Sequence, residues 1–215
     1  MKALKLRSNS YSGKLIVFEG TDGAGKTTLI EKTRQYLTEL YGFGQVLTVK
    51  QPTDLSRKTK LFQKMMYCAD HNDVDYRAVQ LLTMSDRVQH GYEVIEPALK
   101  AGKTVISDRY IYTSLANMTA RGYTQENWFF EVAKNILRPD ITFLATVPPE
   151  LAIERIKSRP EERDRYLDEA LLRSVSENFV SMAKRAGFIV LDTTKNADTT
   201  FETVKNELHK RGLVK

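Results

Sequence analysis

Positions 20 to 28 read Gly20-Thr21-Asp22-Gly23-Ala24-Gly25-Lys26-Thr27-Thr28. The spacing fits G-x-x-x-x-G-K-[ST] at each fixed position, a pattern whose chemistry is phosphate binding. Glycines let successive backbone N–H groups turn inward and approach a polyphosphate closely. A helix beginning at Lys26 adds its partial positive charge behind them. The Lys26 ammonium then reaches the β- and γ-phosphates of a nucleoside triphosphate, and the Thr27 hydroxyl ligates Mg²⁺. Gly20, Asp22, Gly23, Ala24, Gly25, Lys26, Thr27 and Thr28 are therefore the expected triphosphate-binding residues. A glycine-rich turn that binds nothing is the bland alternative.

Asp108-Arg109-Tyr110 is a second group, placed just after the apolar run Thr104-Val105-Ile106-Ser107. An aspartate there holds Mg²⁺ directly or through water, or orients an attacking oxygen. An arginine beside it clamps a phosphate with a two-pronged fork. A helix cap and a surface arginine would be the structural alternative. Arg155, Arg159, Arg163 and Arg165 form a third group, broken by Pro160. Charges spread this way usually mark a solvated face. Beside a phosphate loop they read as a lid over about 155–167 that brings arginine to the migrating phosphoryl group.

These residues need rigid elements to hold them. Leu15-Ile16-Val17-Phe18 predicts a buried strand over 14–19. Leu29, Ile30, Thr33, Tyr36, Leu37 and Leu40 predict a helix over 26–41. Further strands are expected at 45–50, 104–107, 141–147 and 188–191. Helices are expected at 59–69, 76–101, 112–121, 125–137, 150–158 and 168–186, with a last one carrying Phe201, Val204 and Leu208. Asp54, Ser56 and Arg57 fall in a polar loop, and Pro97 should kink or break the long helix near its end. Alternating strands and helices predict an α/β fold, a five-stranded parallel sheet covered on both faces in a three-layer sandwich. Ligands bind beyond the carboxyl ends of such strands. Residues 1–13 read as a loose polar lead-in and 14–215 as one domain.

Composition narrows the partners. The 215 residues carry 33 Lys and Arg against 27 Asp and Glu, a net charge of +6. Basic runs interleaved with aromatics are missing, so small phosphorylated substrates are expected rather than nucleic acid. No run approaches the roughly 18 apolar residues of a membrane span. Met1–Arg7 lacks the long apolar core of a signal peptide, and cytoplasmic residence follows as the expectation. Cys68, the single cysteine, excludes an internal disulfide and a cysteine-cluster metal site. His71, His90 and His209 are isolated, and phosphoryl transfer needs no histidine base.

Six stretches in order resemble the thymidylate kinases, within the P-loop nucleoside monophosphate kinases. They are Phe18–Thr28, the Lys50-Gln51-Pro52 corner, Ser85-Asp86-Arg87, Asp108-Arg109-Tyr110 with Ser114, Arg138-Pro139-Asp140, and Asp164-Arg165-Tyr166. The resemblance spans 14–192 and implies transfer of the ATP γ-phosphoryl group, with Mg²⁺, to a nucleoside monophosphate, foremost dTMP. It assigns Lys26 and Thr27 to ATP·Mg²⁺, and places Arg155 on the ATP side. Asp22 falls to the acceptor sugar, Arg109 to the acceptor phosphate, Asp108 to the metal and Arg87 to the pyrimidine edge. Lys50, Gln51, Pro52, Ser114 and Tyr166 join the acceptor set. Gly23 stands where some members carry a catalytic arginine, which passes that role to Arg159, Arg163 and Arg165. The family's habit also implies a homodimer through the long helix.

Two acceptor-side positions depart from that pattern. Thr83 replaces the phenylalanine that stacks on thymine, and Asn117 replaces an aromatic residue near the sugar. A neighbour such as Tyr67, Met84 or Tyr112 is a candidate to supply the missing surface, and another pyrimidine or modified deoxynucleotide becomes the alternative acceptor. A nucleotide switch or partitioning ATPase is the competing class. Thr194-Lys195-Asn196-Ala197-Asp198 is one residue too long for a GTPase base-reading motif, and Glu19-Gly20-Thr21 lacks the early loop lysine of partitioning ATPases.

Overall fold

A computed structural model describes residues 3–68, 73–160 and 166–214. Five strands, β1 (Lys14–Glu19), β2 (Val46–Lys50), β3 (Thr104–Asp108), β4 (Ile141–Thr146) and β5 (Ile189–Asp192), form one sheet in the order β2-β3-β1-β4-β5. Every pairing is parallel. All five carboxyl ends therefore open on one edge, as expected for a P-loop NTPase fold.

Alternation along β1 explains its unbroken apolar run. Leu15 and Val17 enter the core on one face, with α4 (Tyr76–His90), α6 (Ile111–Ala120) and α9 (Glu169–Ala186). Ile16 and Phe18 enter the other, with α1 (Lys26–Tyr41), α8 (Pro149–Lys157) and α10 (Ala197–Lys210). Both faces are covered, so both sets of side chains must be apolar. Phe18 stacks on Phe143 with ring centroids 5.1 Å apart.

Three expectations about elements change. The 76–101 helix is interrupted by a π-turn at Gly91–Ile95, followed by α5 (Glu96–Lys100). The wider turn takes up the break that Pro97 would otherwise make, because the proline falls in the first turn of α5. Residues 54–57 form a short helix, α2 (Asp54–Arg57), whose Thr53 cap accepts a hydrogen bond from Leu55 N. Another short helix, α3 (Lys60–Tyr67), follows it. The 125–137 helix shrinks to α7 (Asn127–Ala133).

The lead-in explains that shortening. Arg7 N donates to Ile136 O at 2.9 Å and Arg138 N to Arg7 O at 2.7 Å. Those backbone groups serve a bridge to residues 3–13 instead of another helical turn. Leu6 is buried, and the Arg7 guanidinium pairs with Glu96. The lead-in is thus fastened to the domain rather than loose. Asp140 accepts from Leu15 N at 2.7 Å and Asn9 Nδ2 at 2.8 Å, which ties the Arg138-Pro139-Asp140 stretch to the start of β1.

Candidate active site

The loop after β1 is shaped by close backbone approach. A Cβ on Gly20 would lie 2.5 Å from Ala145 O, and one on Gly23 would lie 2.4 Å from Ala152 O. Both residues also have positive φ, so no other residue type fits either place. Ala24 is buried beneath the loop, and Thr27 and Thr28 are exposed in the first turn of α1. Lys26 folds back over the loop, donating to Gly20 O at 3.0 Å and Thr21 O at 2.7 Å. Burial, reinforced by Arg109, lowers its pKa to about 7 against the pull of Asp22, Asp108 and Glu19.

Register brings the second group alongside. Asp108 pairs with Phe18 on β1 and with Lys50 on β2. Its Oδ2 lies 3.8 Å from Lys50 Nζ, while its Oδ1 is buried without a hydrogen-bond partner. No group of three or more His, Cys, Asp or Glu side chains among the described residues forms a cage of its own. A lone unpaired carboxylate oxygen, with the Thr27 hydroxyl, suits a magnesium ion that draws its other ligands from water and phosphate.

Arg109 turns at φ +65°, a backbone region that side chains rarely adopt. Several bonds hold it there. Its N donates to Phe18 O at 2.9 Å, Nη1 donates to Gly20 O at 3.0 Å, and Nη2 pairs with Asp22. Burial works against its charge, but Asp22, Asp108 and Glu19 outweigh it and raise its pKa. Such strain persists only where the surroundings over-determine it.

Glu19 was not singled out from the sequence, although a carboxylate ending an apolar strand was the available signal. It is fully buried. Oε1 accepts from Tyr110 N at 2.9 Å and Thr113 N at 3.2 Å, and Oε2 accepts from Thr113 Oγ1 at 2.6 Å. Tyr110 gives α6 no side-chain cap of its own. Glu19 therefore caps α6 from β1. Burial raises its pKa to about 7, opposed by Thr113, Arg109, Arg87 and Tyr110 N.

One cavity of about 270 Å³ opens beside Asp22 and Arg109. Lys50, Pro52, Thr83, Arg87, Ser114, Asn117 and Tyr166, the residues read from the sequence as acceptor-side, all line it. Gln51 does not. It is buried behind the corner, where Nε2 meets His90 Nδ1 at 3.0 Å. Arg87 is buried, donating to Thr83 O at 3.1 Å and Tyr110 O at 3.2 Å. Burial lowers its pKa to about 10, with Glu19 and Asp86 opposing.

Tyr67, Met84 and Tyr112 do not line this cavity. Tyr67 is exposed, Met84 is in the core, and Tyr112 packs edge-on against Phe188 at 4.7 Å. Phe62 and Tyr76 line the cavity instead. Arg57, also missed, joins them, its guanidinium 5.7 Å from the Phe62 ring and its Nε donating to Pro52 O at 2.7 Å. Their positions, outside any motif, carried no signal in the sequence.

A second cavity, about 390 Å³, lies across the loop and is lined by Gly23, Gly25, Thr28, Arg155, Arg159 and Thr193. Arg155 donates to Gly23 O and Thr193 O, both at 3.2 Å. Thr193 Oγ1 donates to Ala24 O at 2.8 Å. Thr193 and its neighbour Lys195, which also lines this cavity, are further residues the motifs did not reveal. Arg163 and Arg165 lie outside the described residues. One phosphate loop thus serves two cavities, with Asp22 and Gly23 on opposite sides of it.

The thymidylate kinase family model matches residues 18–204. The chain belongs to the thymidylate kinase family. It is thereby a nucleoside monophosphate kinase, a phosphotransferase. A Thermococcus kodakarensis protein named "Probable thymidylate kinase" is 37% identical over 200 residues, covering 90% of this chain and 94% of its own. The "Thymidylate kinase" of Geobacillus thermodenitrificans is 34% identical over 206 residues, covering 92% and 90%. A crystal structure of thymidylate kinase from Ehrlichia chaffeensis shares the fold at a TM-score of 0.67 and 23% identity, over 94% of this chain and 99% of that one.

Family membership gives the two cavities their chemical sense. A nucleoside monophosphate kinase must hold two nucleotides with their phosphates converging. Here the two cavities meet at the loop, where Lys26 bonds to Thr21 O and Arg109 pairs with Asp22.

Proposed function

We propose that this protein transfers the γ-phosphoryl group of ATP to dTMP, giving dTDP and ADP. The observation that carries this reading is the pair of cavities meeting across one phosphate loop. ATP occupies the side of Gly23, Arg155 and Thr193, with its phosphates along the loop N–H groups. The monophosphate occupies the side of Asp22, Arg87 and Arg109, its phosphate on Arg109 and its base toward Arg87 and Thr83. An oxygen of the acceptor phosphate forms the new P–O bond, and the bond from γ-phosphorus to the β-bridging oxygen breaks to release ADP. Lys26 and Arg109 hold the charged oxygens in line, so positioning and charge stabilisation do the work. Magnesium, held through Thr27 and Asp108, supplies neutralisation of the phosphate charge when bound. Arg159, with Arg163 and Arg165 beyond the described residues, supplies the lid cations. Leu81, Val88 and Tyr92, exposed on α4 and the π-turn, form the face through which two copies pair.

Steady-state turnover with ATP, Mg²⁺ and dTMP, dUMP, UMP, dCMP or purine monophosphates tests the assignment. The highest kcat/KM is expected with dTMP. A higher value with another acceptor would overturn dTMP as the substrate. ADP release that ignored the acceptor would instead favour a switch or partitioning ATPase.

A further inference from the structure

Two helices run along the acceptor cavity, and each carries an arginine with one unpaired N–H donor. On α6, Thr113, Asn117 and Arg121 follow one another at four-residue steps and all line the cavity. Thr113 stands at the loop end, 3.3 Å from Arg109 Nη1. Arg121, the C-terminal cap of α6, is eight residues further, about 12 Å along the helix axis. On α4, Arg87 is tied at the loop end through its bond to Tyr110 O. Tyr76 marks the other end, where the Arg121 guanidinium lies over its ring at 4.3 Å. Arg87 Nε and Arg121 Nη1 are both buried, and neither has a hydrogen-bond partner. Buried N–H donors are seldom left unpaired, and the side chains that carry these two both line the cavity.

We infer that Arg121 is a base-reading residue, donating from Nη1 to a carbonyl oxygen on the acceptor's base while Arg87 donates to another. Two donors facing one base select an edge made of acceptors, as in a 2,4-dioxopyrimidine. A 4-aminopyrimidine would set its own N–H against a guanidinium N–H, an unfavourable pairing that excludes it. Tyr76 holds the guanidinium plane in place by a cation–π contact. This assignment rests on the proposed function, which supplies a pyrimidine monophosphate to the cavity. It extends that reading to a residue outside the matched motifs.

The test compares wild type with Arg121→Met, which keeps an apolar stem and removes the donors, using dTMP and dCMP as acceptors. The expected result is a dTMP KM raised about tenfold or more, with kcat and the ATP KM nearly unchanged. The preference for dTMP over dCMP should shrink by a similar factor. An unchanged dTMP KM, or equal losses on both acceptors, would overturn the inference and leave Arg121 as a prop for Tyr76. Arg121→Leu, a shorter apolar side chain that also removes the donors, covers the case in which the methionine variant fails to fold. It should also narrow the preference, and full retention of selectivity would overturn the assignment. Failure of wild type to use dTMP would count against the proposed function instead.

Discussion

Lys26 shows how one side chain links burial, protonation and ligand binding. With its ammonium buried against Gly20 and Thr21, its pKa falls to about 7 from 10.5. Phosphate oxygens arriving beside it favour the charged form and pull the pKa back up. The sign follows directly. Below the depressed value the free protein already holds the proton, and above it ATP binding must take one from solvent. Affinity for ATP·Mg²⁺ should therefore weaken as the pH rises past about 7. Calorimetry at about pH 8 in buffers of different ionisation enthalpy should register net proton uptake. Lys26→Ala should abolish that uptake and lower kcat by about a hundredfold or more. Heats independent of the buffer would remove Lys26 from this role.

At the scale of elements, the Glu19 cap makes β1 and α6 one unit and fixes Arg109 between them. Glu19→Ala leaves Tyr110 N, Thr113 N and the Thr113 hydroxyl without their acceptor, at a cost of about 2–4 kcal/mol in stability. Glu19→Gln keeps an acceptor for both N–H groups and cannot titrate. The native carboxyl, with a pKa of about 7 against an ordinary 4.5, binds protons more tightly folded than unfolded. Between those values wild-type stability should fall as pH rises, by up to about 3 kcal/mol. Thermal unfolding of the glutamine variant should lose that slope, and an identical slope in both proteins would refute the assignment. Only part of this unit was legible in the chain. The phosphate loop declares itself because backbone approach at Gly20 and Gly23 restricts residue type, and Asp108-Arg109 because it ends an apolar run. Glu19, Arg57, Phe62 and Thr193 act through contacts that register and loop packing create, and no spacing encodes those. The 76–101 reading assumed a constant helical period, which the π-turn breaks.

That turn decides what the whole molecule can present to a second copy. Leu81, Ser85, Val88 and Tyr92 continue one outward row, with Leu81 54% and Tyr92 73% exposed. Ile95 and Leu99, next in the same sequence stripe, are fully buried. A residue added to the turn rotates the following helix, so the row passes from the surface into the core. The exposed part is a compact apolar face, and the opposite side of α4 carries Thr83 and Arg87 in the acceptor cavity. Pairing through that face would brace the helix that carries Thr83 and Arg87. Light scattering over a range of protein concentrations should give the mass of two chains for wild type. Leu81→Glu with Tyr92→Glu should give one chain, because two carboxylates on each copy would have to be desolvated opposite their like. The separated chains should show a higher dTMP KM and an almost unchanged ATP KM, since only the acceptor wall loses its brace. A wild-type protein that stays single at all concentrations would sink the pairing, and equal losses at both nucleotides would sink the coupling between the α4 face and the acceptor cavity.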